Sequence, residues 1–265
     1  MTTKQIEGYL AYIDLQGFSE LIKTTKFNEK FQKFYNIIEE AIKVGGKDIF
    51  YNFFSDSIVI YTEELSSRKF IEITGILSQV NYNLLDELEL VISGGLSCGK
   101  FSLHEHKNNV IFAGSPMVDA VKIQEAQNWL GITISQEVIK KEPSFITMIS
   151  SPFIHINIDN LNQELLYPEV LYYVQEYEKI PVKSLSSPDD SISGFIIVPQ
   201  VLNPTNPSEA SINILAYIDD LFLLKYYASS SYVQQKYQHT IDVMYELYNR
   251  YDDIARHSKA IHTKY

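Results

Sequence analysis

One cysteine, Cys98, is the only thiol in 265 residues, so no internal disulfide can form and the fold rests on packing and hydrogen bonding. Long apolar runs are missing as well: none reaches the roughly 20 residues that a membrane-spanning helix needs. No charged segment followed by an apolar stretch opens the chain in the manner of a secretion signal. Positive charge is scarce, with 22 Lys and Arg against 33 Asp and Glu, a formal charge of −11 and a pI near 5.0. No local Lys/Arg cluster offsets that acidity, which argues against nonspecific binding to nucleic acid or to an anionic membrane. A small anionic substrate would need a metal ion to approach such a surface. The expectation is a cytoplasmic protein with neither nucleic acid nor membrane as partner. Internal repeats are absent too. Apolar residues make up 45% of the chain and aromatics 13%, ample for a folded core.

Within that apolar background, Tyr51 to Tyr61, YNFFSDSIVIY, is interrupted by Ser55-Asp56-Ser57. Alternating and β-branched residues on both sides read as two strands joined by a tight polar turn with Asp56 at its tip. A second stretch, GYLAYIDLQGF from Gly8 to Phe18, reads as a buried strand that ends in Asp14 and runs through Gly17 into a helix. Taken singly, Asp14 would cap that helix and Asp56 would fill a turn. Taken together, two carboxylates delivered at strand ends make a site for hard divalent cations, whose preferred ligands are oxygens.

In chain order, a short helix is expected at Phe18 to Lys23. A longer one follows from Asn28, as N-cap, to Lys43, with Phe31, Phe34, Tyr35, Ile38 and Ile42 as its apolar stripe and Gly45-Gly46 ending it. After the Asp56 hairpin comes a helix over Ser66 to Asp86, then a strand at Leu90 to Leu96, a polar loop at His104 to Asn109 and a short strand at Val110 to Ala113. A helix over Pro116 to Asn128, a strand at Gly131 to Ile134 and a short helix capped by Ser135 follow. Strands are expected at Phe153 to Ile158 and Gly194 to Val198, a loop at Ser184 to Ser191, and helices at Glu209 to Tyr227 and Ser231 to Arg256. The order predicts an α+β fold, a ferredoxin-like split βαβ plan with a mostly antiparallel sheet and helices on one face. Residues 1–200 would form the main domain, with its motifs in 8–140, and 201–265 a C-terminal helical extension. The tyrosines of the last helix, Tyr237, Tyr245, Tyr248 and Tyr251, read as a packing or dimer surface.

Two motif-like stretches carry less. Gly94 to Phe101, GGLSCGKF, approaches the phosphate-binding loop G-x-x-x-x-G-K-[ST], but Phe101 stands where the metal-binding hydroxyl belongs, and no helical pattern follows. His104 and His106 have a spacing at which a strand would aim both imidazoles at one metal, yet no third ligand is evident and an ordinary surface loop explains them.

The succession DLQGFSELI (Asp14 to Ile22), FFSDSIVIY (Phe53 to Tyr61), VISGGLSCGK (Val91 to Lys100), and FAGSPMVDAVKIQEA with WLGITIS (Phe112 to Ser135) resembles the catalytic domain of class III nucleotidyl cyclases. The FSDS form of the second segment and the tyrosine-rich tail KYQHTIDVMYELYNRY (Lys236 to Tyr251) look most like the bacterial pyrimidine nucleotide cyclases of the Pycsar anti-phage systems. The resemblance implies that Asp14 and Asp56, with the backbone carbonyl of Leu15, bind two divalent ions, Mn2+ or Mg2+, that hold a nucleoside triphosphate and polarise its 3′-hydroxyl. Gly17, Phe18 and Ser19 would offer backbone N–H groups to the phosphates. A homodimer with active sites at its interface is implied as well.

The chain departs from the family in places. Where purine-specific relatives carry a charged residue four before the second aspartate, this chain has Asn52, preceded by Tyr51, and the partner position three before Gly114 is Ile111. An Asn amide presents a donor and an acceptor and pairs with the edge of uracil, or of cytosine after a flip. The Tyr51 hydroxyl is a candidate for fixing that flip. The Asn and Arg that many relatives use at the transition state appear as Val118 and Lys122, so Lys122 is left to supply positive charge without a guanidinium fork. The implied function is a pyrimidine nucleotide cyclase, uridylate before cytidylate, making a second messenger for antiviral defence. Two alternatives stand beside it: a purine (adenylate) cyclase, and a cyclase-like domain that binds nucleotide or protein without chemistry.

Overall fold

A computed structural model describes residues 2–106, 109–142, 174–181, 191–197, 199 and 207–262. Strand β1 (Thr2–Gln16) is followed by a one-turn helix α1 (Phe18–Leu21), helix α2 (Phe27–Gly45), strands β2 (Ile49–Phe54) and β3 (Ser57–Thr62), and helix α3 (Ser67–Leu88). Strands β4 (Val91–His106) and β5 (Asn109–Gly114), helix α4 (Ser115–Ala126), strand β6 (Ile132–Ile134) and helix α5 (Gln136–Lys141) come next. After them come β7 (Val174–Pro181), β8 (Ser191–Ile197), α6 (Pro207–Tyr227) and α7 (Ser231–His262). The expected strand at Phe153 to Ile158 and the loop residues before Ser191 lie outside the described residues.

The strands form one sheet in the order β2-β3-β1-β4-β6-β8-β7, with β5 paired to the far half of β4. Every pairing is antiparallel except β4 with β6. In its first half, β1–α2–β2 and β3–α3–β4 each leave and re-enter the sheet with one strand between the two ends. This is the split βαβ plan expected from the sequence. The fold is α+β with a mostly antiparallel sheet.

Period-2 alternation sorts β1 between two cores. Tyr9, Ala11, Ile13 and Leu15 lie beneath α2 and α3 with Ile58, Ile60, Phe34, Phe70 and Ile73. Ile6 and Leu10 lie on the other face with Val59, Tyr61, Phe101 and Ala120 of α4. Helices therefore cover both faces, not one, since α4 crosses the side opposite α2 and α3. Gly95 permits that crossing: a Cβ there would stand 2.4 Å from the Ala120 carbonyl oxygen. Gly95→Ala should accordingly lower the unfolding midpoint, at a cost of about 1–3 kcal/mol. A denaturation curve superimposable on the parent's would show that α4 is not seated so closely.

Helix starts and strand lengths also differ from the periodicity reading. Asn28 is not the cap of α2, which begins at Phe27 after Lys26 with no side-chain cap bond. Phe27 packs on Phe18 and Phe31 at ring-centroid distances of 6.1 and 5.5 Å, so aromatic contact sets the start. Ser66 does cap α3, accepting from the Lys69 N–H. The polar loop expected at His104 to Asn109 belongs largely to the β4–β5 hairpin, because His104 pairs across both strands, with Thr3 and with Ile111. Helices α6 and α7 pack on each other and on Leu85, Val91, Trp129, Leu130 and Ile196, forming a second core. Tyr237 is buried in it, whereas Tyr245 is exposed beside Phe222. Among the described residues no helix is long and apolar enough to cross a membrane.

Candidate functional site

Strand β1 delivers Asp14 near its end, and Gly17 at φ +87° turns the chain from strand into α1. Across β1 and β3 the Cα partner of Asp14 is Ser57, and across β1 and β4 it is Ser93. Phe54 and Ser57 are the last pair of the β2–β3 hairpin, which leaves Ser55 and Asp56 as a two-residue turn. Ser55 takes φ +60°, the positive φ that so tight a turn demands at its first loop position. The Asp56 carbonyl accepts a hydrogen bond from the Leu15 N–H at 3.0 Å, fastening the hairpin tip to the residue after Asp14. Asp14 and Asp56 thus share one end of two neighbouring strands. Because N–H and C=O of an extended residue point the same way, the Leu15 carbonyl is turned toward the hairpin too.

The donors gathered here are all oxygens, the type that Mg2+ and Mn2+ prefer. Among the described residues no group of three or more His, Cys, Asp or Glu side chains is placed to hold a metal. Mg2+-like ions characteristically take one or two carboxylates and complete their shell with water and substrate phosphates. Two carboxylates and a carbonyl fit such an ion bound together with a triphosphate. The His104 imidazole is engaged instead by the Thr3 hydroxyl at 2.9 Å. Cys98 is buried in the main core, and burial pushes its thiol up to about 11, which keeps it neutral.

Asn52 and Tyr51 part company. On β2, Phe50 and Phe54 pack toward Tyr61 and Phe112, on the Asp14 face, so Asn52 between them shares that face. Tyr51 points the other way, its hydroxyl 3.1 Å from that of Tyr35 on α2, and burial pushes its phenol well above the usual range. Tyr51 therefore cannot orient the Asn52 amide: successive strand residues face opposite sides of the sheet. The Cα partner of Asn52 is Val59, whose partner on β1 is Tyr12, one pleat back from Asp14. At about 4.8 Å per strand and 6.7 Å per two residues, Asn52 and Asp14 lie roughly 12 Å apart along the sheet, a separation a nucleotide can bridge.

The chain matches no family model, and no curated protein is similar enough to match it. Solved structures with a similar arrangement include the adenylyl cyclase CyaB from P. aeruginosa, 13% identical over 76% of this chain and 97% of that one, with a TM-score of 0.48. The guanylyl cyclase Cya2 is 15% identical over 78% of this chain and 98% of its own, at 0.42. The dimeric guanylyl cyclase domain of the RhoGC fusion protein from Blastocladiella emersonii is 13% identical over 53% and 86%, at 0.44. These likenesses concern the arrangement of elements alone.

Gly17, Phe18 and Ser19 lead into α1, where Leu21 N–H donates to the Gly17 carbonyl and Ile22 N–H to that of Phe18. The Phe18 and Ser19 amides thus belong to a first turn with no preceding helical carbonyl to accept them. The Phe18 ring is buried against Phe27 and Phe31. On α4, Pro116 and Ala120 face inward, and Val118 and Lys122 stand two residues either side of Ala120, some 200° around the helix. Val118 is 50% exposed and Lys122 is exposed. Ile111 on β5 is exposed likewise.

Periodicity missed the polar residues around Asp14. The Tyr12 hydroxyl lies 2.7 Å from Ser57 Oγ, and Ser57 Oγ donates to Asp14 Oδ1 at 3.5 Å. On the other flank the Gln124 amide donates to Ser93 Oγ at 2.9 Å. The available signal was the period of two, which puts Tyr12 on the face of Asp14, and the serine directly after Asp56.

Proposed function

We propose that this protein is a nucleotidyl cyclase acting on a pyrimidine ribonucleotide, UTP before CTP, and releasing the 3′,5′-cyclic monophosphate and pyrophosphate. The observation that carries the reading is the delivery of Asp14 and Asp56 to one end of paired strands, tied by the bond from Leu15 to the Asp56 carbonyl. Asp14, Asp56 and the Leu15 carbonyl hold Mn2+ or Mg2+. Bound there, two such ions supply positive charge to the triphosphate and to the 3′-oxygen that attacks the α-phosphorus. The amides of Gly17, Phe18 and Ser19 receive phosphate oxygens. Asn52 stands on the same sheet face, about a nucleotide's length away, and its amide meets the edge of the base. Lys122 is exposed on α4, and in this reading its charge serves an active site completed across a homodimer. The product would serve as a second messenger in antiviral defence.

The test is to incubate the purified protein with each of the four ribonucleoside triphosphates and Mn2+ and to resolve the products. Cyclic UMP or cyclic CMP as the main product supports the reading. Faster formation of cyclic AMP or cyclic GMP assigns a purine cyclase, and no cyclic product from any of the four assigns a binding domain. Asn52→Leu should lower kcat/KM for the pyrimidine substrate about 10- to 100-fold, the equivalent of an unmet buried hydrogen bond of about 1–3 kcal/mol. Equal kcat/KM in parent and variant would remove Asn52 from the base pocket.

A further inference from the structure

Asp14 sits in a run of hydroxyls whose direction is fixed by chemistry. An ionised carboxylate only accepts hydrogen bonds, so the contact between Ser57 Oγ and Asp14 Oδ1 at 3.5 Å commits the serine proton to Asp14. The lone pairs of Ser57 are then left to accept, and the Tyr12 phenol, 2.7 Å away, is the donor. Ser57 is only 7% exposed, so water does not readily replace either partner. The backbone register enforces the grouping. Ser57 is the Cα partner of Asp14, and Tyr12 precedes Asp14 by two residues on the same face of β1.

We propose that Ser57 and Tyr12 are positioning residues, a two-hydroxyl relay that sets the plane of the Asp14 carboxylate toward a divalent cation. This rests on the reading that Asp14 holds such an ion, and neither hydroxyl touches the ion itself. Residues that orient a metal ligand typically change metal affinity about 10- to 100-fold when replaced. Ser57→Ala removes the only donor in the relay that reaches Asp14, whereas Tyr12→Phe leaves the Ser57 donor in place but unanchored. The second effect should therefore be smaller and should act entirely through Ser57.

The experiment is Mn2+ titration of the full-length, nucleotide-free protein, followed by the paramagnetic resonance of the free ion, with thermal unfolding of every variant in parallel. Ser57→Ala should raise the Mn2+ dissociation constant about tenfold or more, and Tyr12→Phe a few fold. Ser57→Thr, which keeps the hydroxyl, should bind close to wild type. The Ser57→Ala/Tyr12→Phe double variant should bind no more weakly than Ser57→Ala alone, which a merely structural role would not produce. Wild-type Mn2+ affinity in Ser57→Ala, with Asp14→Asn unable to bind, overturns the relay and leaves the ion site standing. Wild-type affinity in Asp14→Asn overturns both. If Ser57→Ala fails to fold, Tyr12→Phe decides, since it removes a single oxygen: unchanged affinity there refutes the relay.

Discussion

Asp14→Asn and Asp56→Asn are each expected to lower cyclic nucleotide formation by more than about 100-fold, since even residues that merely orient a metal ligand cost about 10- to 100-fold when replaced. An amide keeps the shape of the carboxylate and loses the charge that draws a divalent ion. The fold should not suffer. The two aspartates stand at the ends of neighbouring strands, joined through Leu15 and Asp56, and neither belongs to a buried core. In metal-free buffer each Asn variant should therefore melt close to the wild-type temperature. Added Mn2+ should raise the wild-type Tm, because an ion at 100 times its dissociation constant stabilises the native state by about 2.7 kcal/mol. The variants should lose that rise. A variant that retains more than a few per cent of activity, or still gains Tm with Mn2+, removes that aspartate from the ion site.

Truncation before Ser231 should have the largest effect on stability. It deletes α7 and with it Tyr237, Ile241, Val243, Met244 and Leu247, all buried against α6 and against Leu85, Val91, Trp129, Leu130 and Ile196. Each such side chain contributes about 1.5–3 kcal/mol by burial, and together they rival the whole net stability of a domain, about 5–15 kcal/mol. Hydrogen bonds go as well, those from Leu130 N–H to the Thr240 hydroxyl at 2.8 Å and between the His239 ring and the Asn128 carbonyl at 2.7 Å. The expected product is an aggregating chain with no cooperative unfolding transition. A truncated protein that melts like the parent would make α7 an independent appendage.

Much of the first half was legible because its signals are local. The apolar stripe of α2 and the Ser135 cap of α5 are read within one or two turns of chain, and the structure has both. Ser55-Asp56 between two apolar runs announced a hairpin, and the structure closes it on Phe54 and Ser57. Strand lengths were less legible. β1 extends back to Thr2 and β4 on to His106 because each supplies the other's ladder along its whole length, and the polar residues in those extensions hid the strands. β7 gave no local signal either, and its place follows from its pairing with β8.

By itself the sequence determined the α+β order, the split βαβ plan, and the presence of a carboxylate at each of two strand ends, because period, caps and turn residues act over a few positions. Tertiary structure decided which side of the sheet each residue serves. Strand register sent Tyr51 to Tyr35 and Asn52 to the face of Asp14, the absence of a side chain at Gly95 let α4 close over that face, and pairing of β1 with β3 set Tyr12 and Ser57 around Asp14. These outcomes depend on contacts between residues well apart in sequence, from 16 positions for Tyr35 and Tyr51 to 45 for Tyr12 and Ser57, and only the folded chain makes such contacts.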